Sequence, residues 1–376
     1  MALMHHSPEN YDLAAARASA VARDKLDSLI SKGREHAMRV YEQIHTTVPN
    51  DAVPRAAEVV FEAVPVGESD AARLRVRAPG VELSGLHRNA VAQVAERADM
   101  PVKYLNTLLE RGRWGTDLAA HALSTTFSHA PEASRVLVRS VGGEVRGLLS
   151  DRYRRLDSRP LVAAFASAAQ AAGAVPVEGY ALETKVALKA VLPRIYEPVK
   201  NEVMVFGVAW SNSDFGNGTH SLRIFTMRLV CTNYAIAEES MRDVHLGRRL
   251  SGDVQFSART LELDTQTTAS AIGDVVRGQL SEARIDAFQA AIRRANEEAV
   301  DPKRAEATLR RRLTKTEADE VITAFNSPDV VNMPPGSTNW RLSNAVSWIA
   351  GQKTDKERAL EMMSLAGEMV PIGRAA

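Results

Sequence analysis

One cysteine in 376 residues, Cys231, excludes an internal disulfide and a cysteine-rich zinc site and suits a reducing cytoplasm. An excess of charge of either sign is equally missing. Lys and Arg number 47 against 46 Asp and Glu, a net charge of +1, so any nucleic-acid surface has to arise by segregating charge within the fold. No run of about 18 apolar residues marks a membrane span. The first ten residues, M-A-L-M-H-H-S-P-E-N, lack the basic and apolar segments of a secretory signal, and the expectation is a cytoplasmic protein with no membrane partner. There is no internal repeat or low-complexity tract. P-loop, G-x-G-x-x-G, H-E-x-x-H and G-x-S-x-G signatures are all missing. His87, His121, His129, His220 and His245 have no partner at metal-ligand spacing. No catalytic residue, metal or cofactor is therefore assigned.

What is present is the composition of a soluble globular chain, 45% hydrophobic and 25% charged, long enough for one large or two ordinary domains. Its most telling stretch spans residues 135–157, R-V-L-V-R-S-V-G-G-E-V-R-G-L-L-S-D-R-Y-R-R-L-D. Alternation places Arg135, Leu137 and Arg139 on one face of a strand and Val136 and Val138 on the other, with Gly142-Gly143 supplying a positive-φ hairpin turn. The device recurs at Arg73, Arg75 and Arg77, alternating with Leu74 and Val76, and at Lys185 and Lys189, opposed by Val186 and Leu188. Three strands with a common basic outer face are predicted.

The pattern along the chain predicts an α+β fold. Residues 1–50 read as peripheral N-terminal helices, residues 55–258 as an α+β core with an antiparallel, meander-like sheet of hairpins and crossing helices, and residues 259–376 as a helical C-terminal region packing on that core. Residues 89–97 and 102–110 form two short helices broken at Asp99-Met100-Pro101. This is either a base-reading helix-turn-helix presenting Lys103, Tyr104, Asn106 and Thr107, or a plain α-hairpin packed through Val91, Val94, Leu105 and Leu108. Residues 160–172 read as an Ala-rich helix with Ser158 as its N-cap and Gly173 past its end. Strands follow at 175–180, 184–192, 202–211 and 221–230, then a short helix at 235–240. The segment 211–219 is a Gly/Asn-rich loop.

Two clusters invite chemistry. Asp151 and Asp157 bracket Arg152-Tyr153-Arg154-Arg155; they either hold a divalent metal or pair with neighbouring arginines and so aim the remaining guanidinium groups. Cys231 follows an apolar strand, where a buried structural thiol is the simpler reading, while Thr232 and Asn233 at the strand end suit backbone or phosphate contacts.

Three motifs resemble the DUF932 phage/plasmid-like family: L-L-S-D-R-Y-R-R-L-D (148–157), R-L-V-C-T-N (228–233) and N-W-R-L-S-N-A-V-S (339–347), in the family's order and outside only the N-terminal helices. The chain departs from the family at Tyr234, where glycine is frequent. The family name assigns no activity; by context and layout the chain is similar to single-strand annealing proteins of the RecT and Redβ kind. The resemblance implies sequence-independent binding of single-stranded DNA by a homo-oligomer. Its groove would be lined by Arg73, Arg75, Arg77, Arg135, Arg139, Arg152, Arg154, Arg155, Lys185, Lys189, Arg228 and Asn233, with Tyr153 or Tyr234 stacking on bases. Annealing needs no catalytic residue, since base pairing drives it. The competing readings are a metal-dependent nucleic-acid enzyme using Asp151 and Asp157, an interaction or scaffold protein, and a duplex-specific regulator.

Overall fold

Gly142 and Gly143, at φ +57° and +78°, turn the chain directly from β5 (Val136–Val141) into β6 (Glu144–Ser150), as a two-residue hairpin requires. The computed structural model describes residues 20–67, 70–200, 202–229, 234–243 (as backbone), 256–327 and 333–370. In it the β5–β6 hairpin is the middle of a six-stranded sheet ordered β1-β5-β6-β4-β3-β2, the others being β1 (Asn50–Ala52), β2 (Val60–Pro65), β3 (Ala72–Ala78) and β4 (Val81–Leu86). All its pairings are antiparallel except β4 with β6. That parallel contact needs a long crossover, supplied by α2 (Arg88–Arg97), α3 (Val102–Leu109) and α4 (Gly112–Ser128). These helices bury Val91, Val94, Leu105, Leu108 and Leu123 with Phe61, Leu74 and Val76 from the sheet. The hairpin packing of the two short helices is thus observed, with Asp99 at φ +50° making the break.

A second sheet, ordered β11-β10-β9-β8-β7, is the antiparallel meander that the sequence predicts: β7 (Val175–Ala181), β8 (Val186–Val191), β9 (Met204–Asn212), β10 (His220–Arg228) and β11 (Tyr234–Asp243). The short helix expected at 235–240 is instead part of β11. Its alanines and glutamates favour a helix locally, but pairing with the whole length of β10 overrides that preference. Between the sheets runs α5 (Ser158–Ala171), followed by Gly173 at φ +77°. Its N-cap residue is Asp157, which makes no side-chain cap.

One face of the second sheet is covered by α5, α6 (Ala258–Gln279) and α7 (Glu282–Glu297), which bury Leu161, Phe165, Ile272 and Phe288 against Trp210, Leu222, Phe206 and Ile224. The N-terminal helix α1 (Ala22–Thr46) is not peripheral. It lies along β7 and buries Leu26, Val40 and Ile44. A Cβ on its Gly33 would sit 2.2 Å from the Pro176 carbonyl oxygen, so only glycine allows that approach. The chain ends in α8 (Pro302–Arg312), α9 (Lys315–Asn326), α10 (Asn339–Gly351) and α11 (Lys356–Glu368), which share a core of Leu309, Val321, Phe325, Val346 and Met362. The fold is α+β with antiparallel sheets and a helical C-terminal region. Among the described residues no helix is long and apolar enough to cross a membrane.

Candidate nucleic-acid interface

Alternation along β3 buries Leu74, Val76 and Ala78 and turns Arg73, Arg75 and Arg77 outward. Successive guanidinium groups start from Cα atoms about 6.8 Å apart, a regular ladder of positive charge. Arg77 pairs with Glu62 on β2 at 2.6 Å, whereas Arg73 is exposed, Arg75 half-exposed, and neither takes a side-chain partner among the described residues.

The turn before β3 meets the corner between α3 and α4. The backbone N–H of Arg113 donates to the Asp70 carbonyl at 2.7 Å, and Gly112, at φ +71°, would place a Cβ 2.8 Å from the same oxygen. That corner carries an exposed aromatic ring, Trp114 at 54%, while Tyr104, exposed at 51%, lies in the first turn of α3. The Arg111 guanidinium lies 5.6 Å from the centroid of the Trp114 ring, and Lys103 and Arg113 are exposed nearby in sequence. In the sequence Lys103 and Tyr104 stand out only as parts of a base-reading helix, and nothing there marks Trp114. A tryptophan followed by Gly115 at the start of a helix, between Arg113 and Asp117, carries no periodic signal of exposure.

The other predicted cations have different fates. Arg139 is only 1% exposed, because β5 is an interior strand covered on both faces. Its Nε donates to Asp51 at 2.7 Å, Nη2 to Asp157 at 2.6 Å, and Nη1 to the Asp214 carbonyl at 2.7 Å. Burial alone would weaken Arg139's hold on its proton, but Asp157, Asp51 and Asp214 outweigh it and keep the guanidinium firmly charged. Arg155 also reaches Asp51, at 3.3 Å. Arg154 makes a two-pronged contact with Asp264 on α6, at 2.6 and 2.8 Å, and a third bond to Thr268. Tyr153 is half-buried and tied down at its hydroxyl. Its hydroxyl donates to the Ser213 carbonyl at 2.9 Å, and burial drives its pKa well above the ordinary phenol.

Asp214 is the hub between the sheets. Its Oδ1 accepts from the Ser158 N–H at 2.8 Å, from Ser158 Oγ at 2.7 Å and from Asn212 Nδ2 at 3.1 Å. The first turn of α5 is therefore capped by a carboxylate from the 211–219 loop, and not by the Ser158 side chain acting as N-cap. Burial pushes the Asp214 pKa up to about 6, against the pull of Arg139 and with a push from Asp157. Asp157, committed to Arg139, takes the orienting role. Asp151 stays at the surface, accepting from the Ser150 hydroxyl at 3.2 Å.

Arg228, another predicted contact, is 3% exposed and forms a buried knot with the C-terminal helices. Its Nε and Nη2 meet Glu202 at 2.6 and 2.7 Å, and Nη1 donates to Asn344 at 2.9 Å. Trp340 Nε1 completes Glu202 at 3.1 Å. Arg135 is half-buried at the start of β5 and Arg152 is exposed. Lys189 belongs to the other sheet and pairs with Glu178 on β7 at 2.8 Å; Lys185, half-buried, precedes β8 there. The three basic strands thus do not share one face. Cys231, Thr232 and Asn233 lie outside the described residues, and no side chain is described for Tyr234.

Of the motif residues described, Arg228, Trp340 and Asn344 share one buried knot around Glu202, and Arg154, Arg155 and Asp157 are held in separate ion pairs. Among the described residues no group of three His, Cys, Asp or Glu side chains is placed to hold a metal ion. The chain matches no family model, no curated protein and no solved structure.

Proposed function

We propose that the protein binds single-stranded DNA without sequence preference, as an annealing or strand-protecting protein of the DUF932 phage and plasmid type, acting as a homo-oligomer whose adjacent subunits lengthen the track. The observation that carries the reading is the pairing of uncompensated arginines with exposed rings. Among the described residues Arg73 and Arg75 take no side-chain partner on the outer face of β3, and the turn that leads into that strand is bonded to the corner bearing Trp114 and Arg111, with Tyr104 exposed in the first turn of the helix before it. Cations that neutralise phosphates and flat rings that take any base are what single-strand binding requires. Binding of this kind draws its energy from counterion release and stacking, and pairing of two held strands then needs no catalytic group.

Fluorescence anisotropy with a labelled oligothymidylate across a salt series tests the reading. Wild-type affinity should fall steeply with salt. Each of Arg73→Ala and Arg75→Ala should flatten the slope of log affinity against log salt by about 0.7. Trp114→Ala should cost about 1–3 kcal/mol of binding with the slope unchanged. No binding at low salt would refute the proposal.

A further inference from the structure

From Pro302 to Lys315 the chain holds six cations and one carboxylate, Glu306, although its net charge is only +1. Helix physics accounts for part of this run. Arg310, Arg311 and Arg312 close α8, where the macrodipole favours positive charge. Lys303 and Arg304 stand in its first turn, where the macrodipole disfavours them. The acid nearest them in sequence is the capping Asp301, whose Oδ1 accepts from their backbone N–H groups at 3.0 and 3.3 Å. Packing then sorts the cations. Leu309 is buried in the C-terminal core with Val321 and Met362, and at about 3.6 residues per turn the opposite side of α8 carries Arg304, Ala307, Thr308 and Arg311. On the flanks positive charge is matched: Arg310 pairs with Glu306 at 2.8 Å and with Asp319 of α9 at 3.2 Å, and Arg312 with both oxygens of Glu368 at 2.9 and 3.1 Å. Along the outermost line it is not. Arg304 and Arg311 are exposed, as are Lys303 and Lys315 on either side of them in sequence, and among the described residues none of the four has a side-chain partner.

We infer that this stripe is the contact for a second single strand, so that one protomer holds both members of an annealing pair; the inference rests on the single-strand binding proposed for the β3 surface. The stripe and the β3 ladder sit over different hydrophobic cores, Leu309 in one and Leu74 and Val76 in the other, and the two strands occupy separate surfaces. Arg304 and Arg311 start about 10.5 Å apart along the helix axis. That is about three phosphate steps of a strand at the duplex rise of about 3.4 Å. Ala307 between them is short, so a sugar-phosphate backbone can lie against the helix and meet both guanidinium groups. The helix carries no aromatic residue, so the contact is made to phosphates and the bases stay free to pair. An anionic membrane fits less well, because a helix that lies in lipid needs an outward apolar face and Leu309 of α8 is buried inside.

Titration of the full chain with a short oligothymidylate, together with annealing of two complementary oligonucleotides followed by fluorescence energy transfer, tests the inference. The wild type should bind two oligothymidylates per protomer. A triple variant, Lys303→Gln with Arg304→Gln and Arg311→Gln, should bind one and anneal at least tenfold more slowly. Arg312→Gln removes a neighbouring but paired cation and should keep both strands and the wild-type rate. Thermal unfolding of each variant without DNA establishes that it is folded. A folded triple variant that still binds two strands, or anneals at the wild-type rate, would overturn the inference and leave the β3 surface standing. One strand per protomer in the wild type would overturn it as well, whereas no binding by the wild type would refute single-strand binding itself and this inference with it. Phosphatidylglycerol vesicles that bind the wild type but not the triple variant, with strand capacity unchanged, would give the stripe to a membrane.

Discussion

Strand β3 and strand β5 read alike in the sequence, arginines alternating with aliphatic residues, and they end in opposite electrostatic states. On β3 the outer face meets water, and among the described residues Arg73 and Arg75 take no side-chain partner there. On β5 both faces are covered, and Arg139 is surrounded by Asp51, Asp157 and Asp214. The period of two tells which residues share a side; it does not tell what lies on that side. A cation is a binding group only where its own protein has left it uncompensated.

The sharpest way to break this comparison is to delete one arginine from each strand. Arg139→Ala strands two carboxylates beside a buried void and should cost about 3–5 kcal/mol in urea denaturation, while Arg75→Ala should stay within about 0.5 kcal/mol. Equal losses would show that the ladder, too, is structural.

A second test uses pH at the same junction. Asp214 ionises near 6 in the folded chain against 3.8 ordinarily. A raised folded pKa gives a stabilising contribution that is complete below about 3.8 and lost as pH rises through 6. Asp214→Asn keeps an acceptor oxygen for Ser158 and cannot ionise. It should gain on the wild type by on the order of 2–3 kcal/mol between pH 4 and 7, with a plateau above. A pH-independent difference would show that Asp214 is charged throughout.

The pair Arg358 and Glu317 stands between the extremes, an ion pair near the surface. Hydrogen bonds from Arg358 hold the Glu317 pKa down to about 2 from 4.5, despite partial burial. A depressed carboxylate contributes stability above 4.5 that disappears as pH falls towards 2. Arg358→Met should therefore raise the midpoint of acid unfolding, by less than any change at Arg139 alters urea stability. An unchanged acid midpoint would show that the pair is electrostatically idle.

Local features were legible in the sequence because they have local causes. The Gly142-Gly143 turn, the break at Pro101, the meander from β7 to β10 and the C-terminal helices all follow from φ preferences and periodicity. The division into two sheets was not legible, because the parallel contact of β4 with β6 is made across three helices. Nor were the partners of the arginines. Asp51 lies 88 residues from Arg139 and Asp264 lies 110 from Arg154, and no spacing rule connects them. Trp114 was missed for the opposite reason: an exposed ring leaves no pattern.

The knot of Arg228, Glu202, Trp340 and Asn344 bears on how the molecule can be divided. Two opposite charges are dissolved in the interior there, and the cap over them is a pair of side chains from a helix more than a hundred residues downstream. Take that helix away and the strands inherit a desolvated ion pair with half its hydrogen bonds gone, a state that water would pry open before the sheet could settle. Sheet and C-terminal helices thus hold one buried charge pair in common, and a cut between them would leave neither part with a complete set of partners.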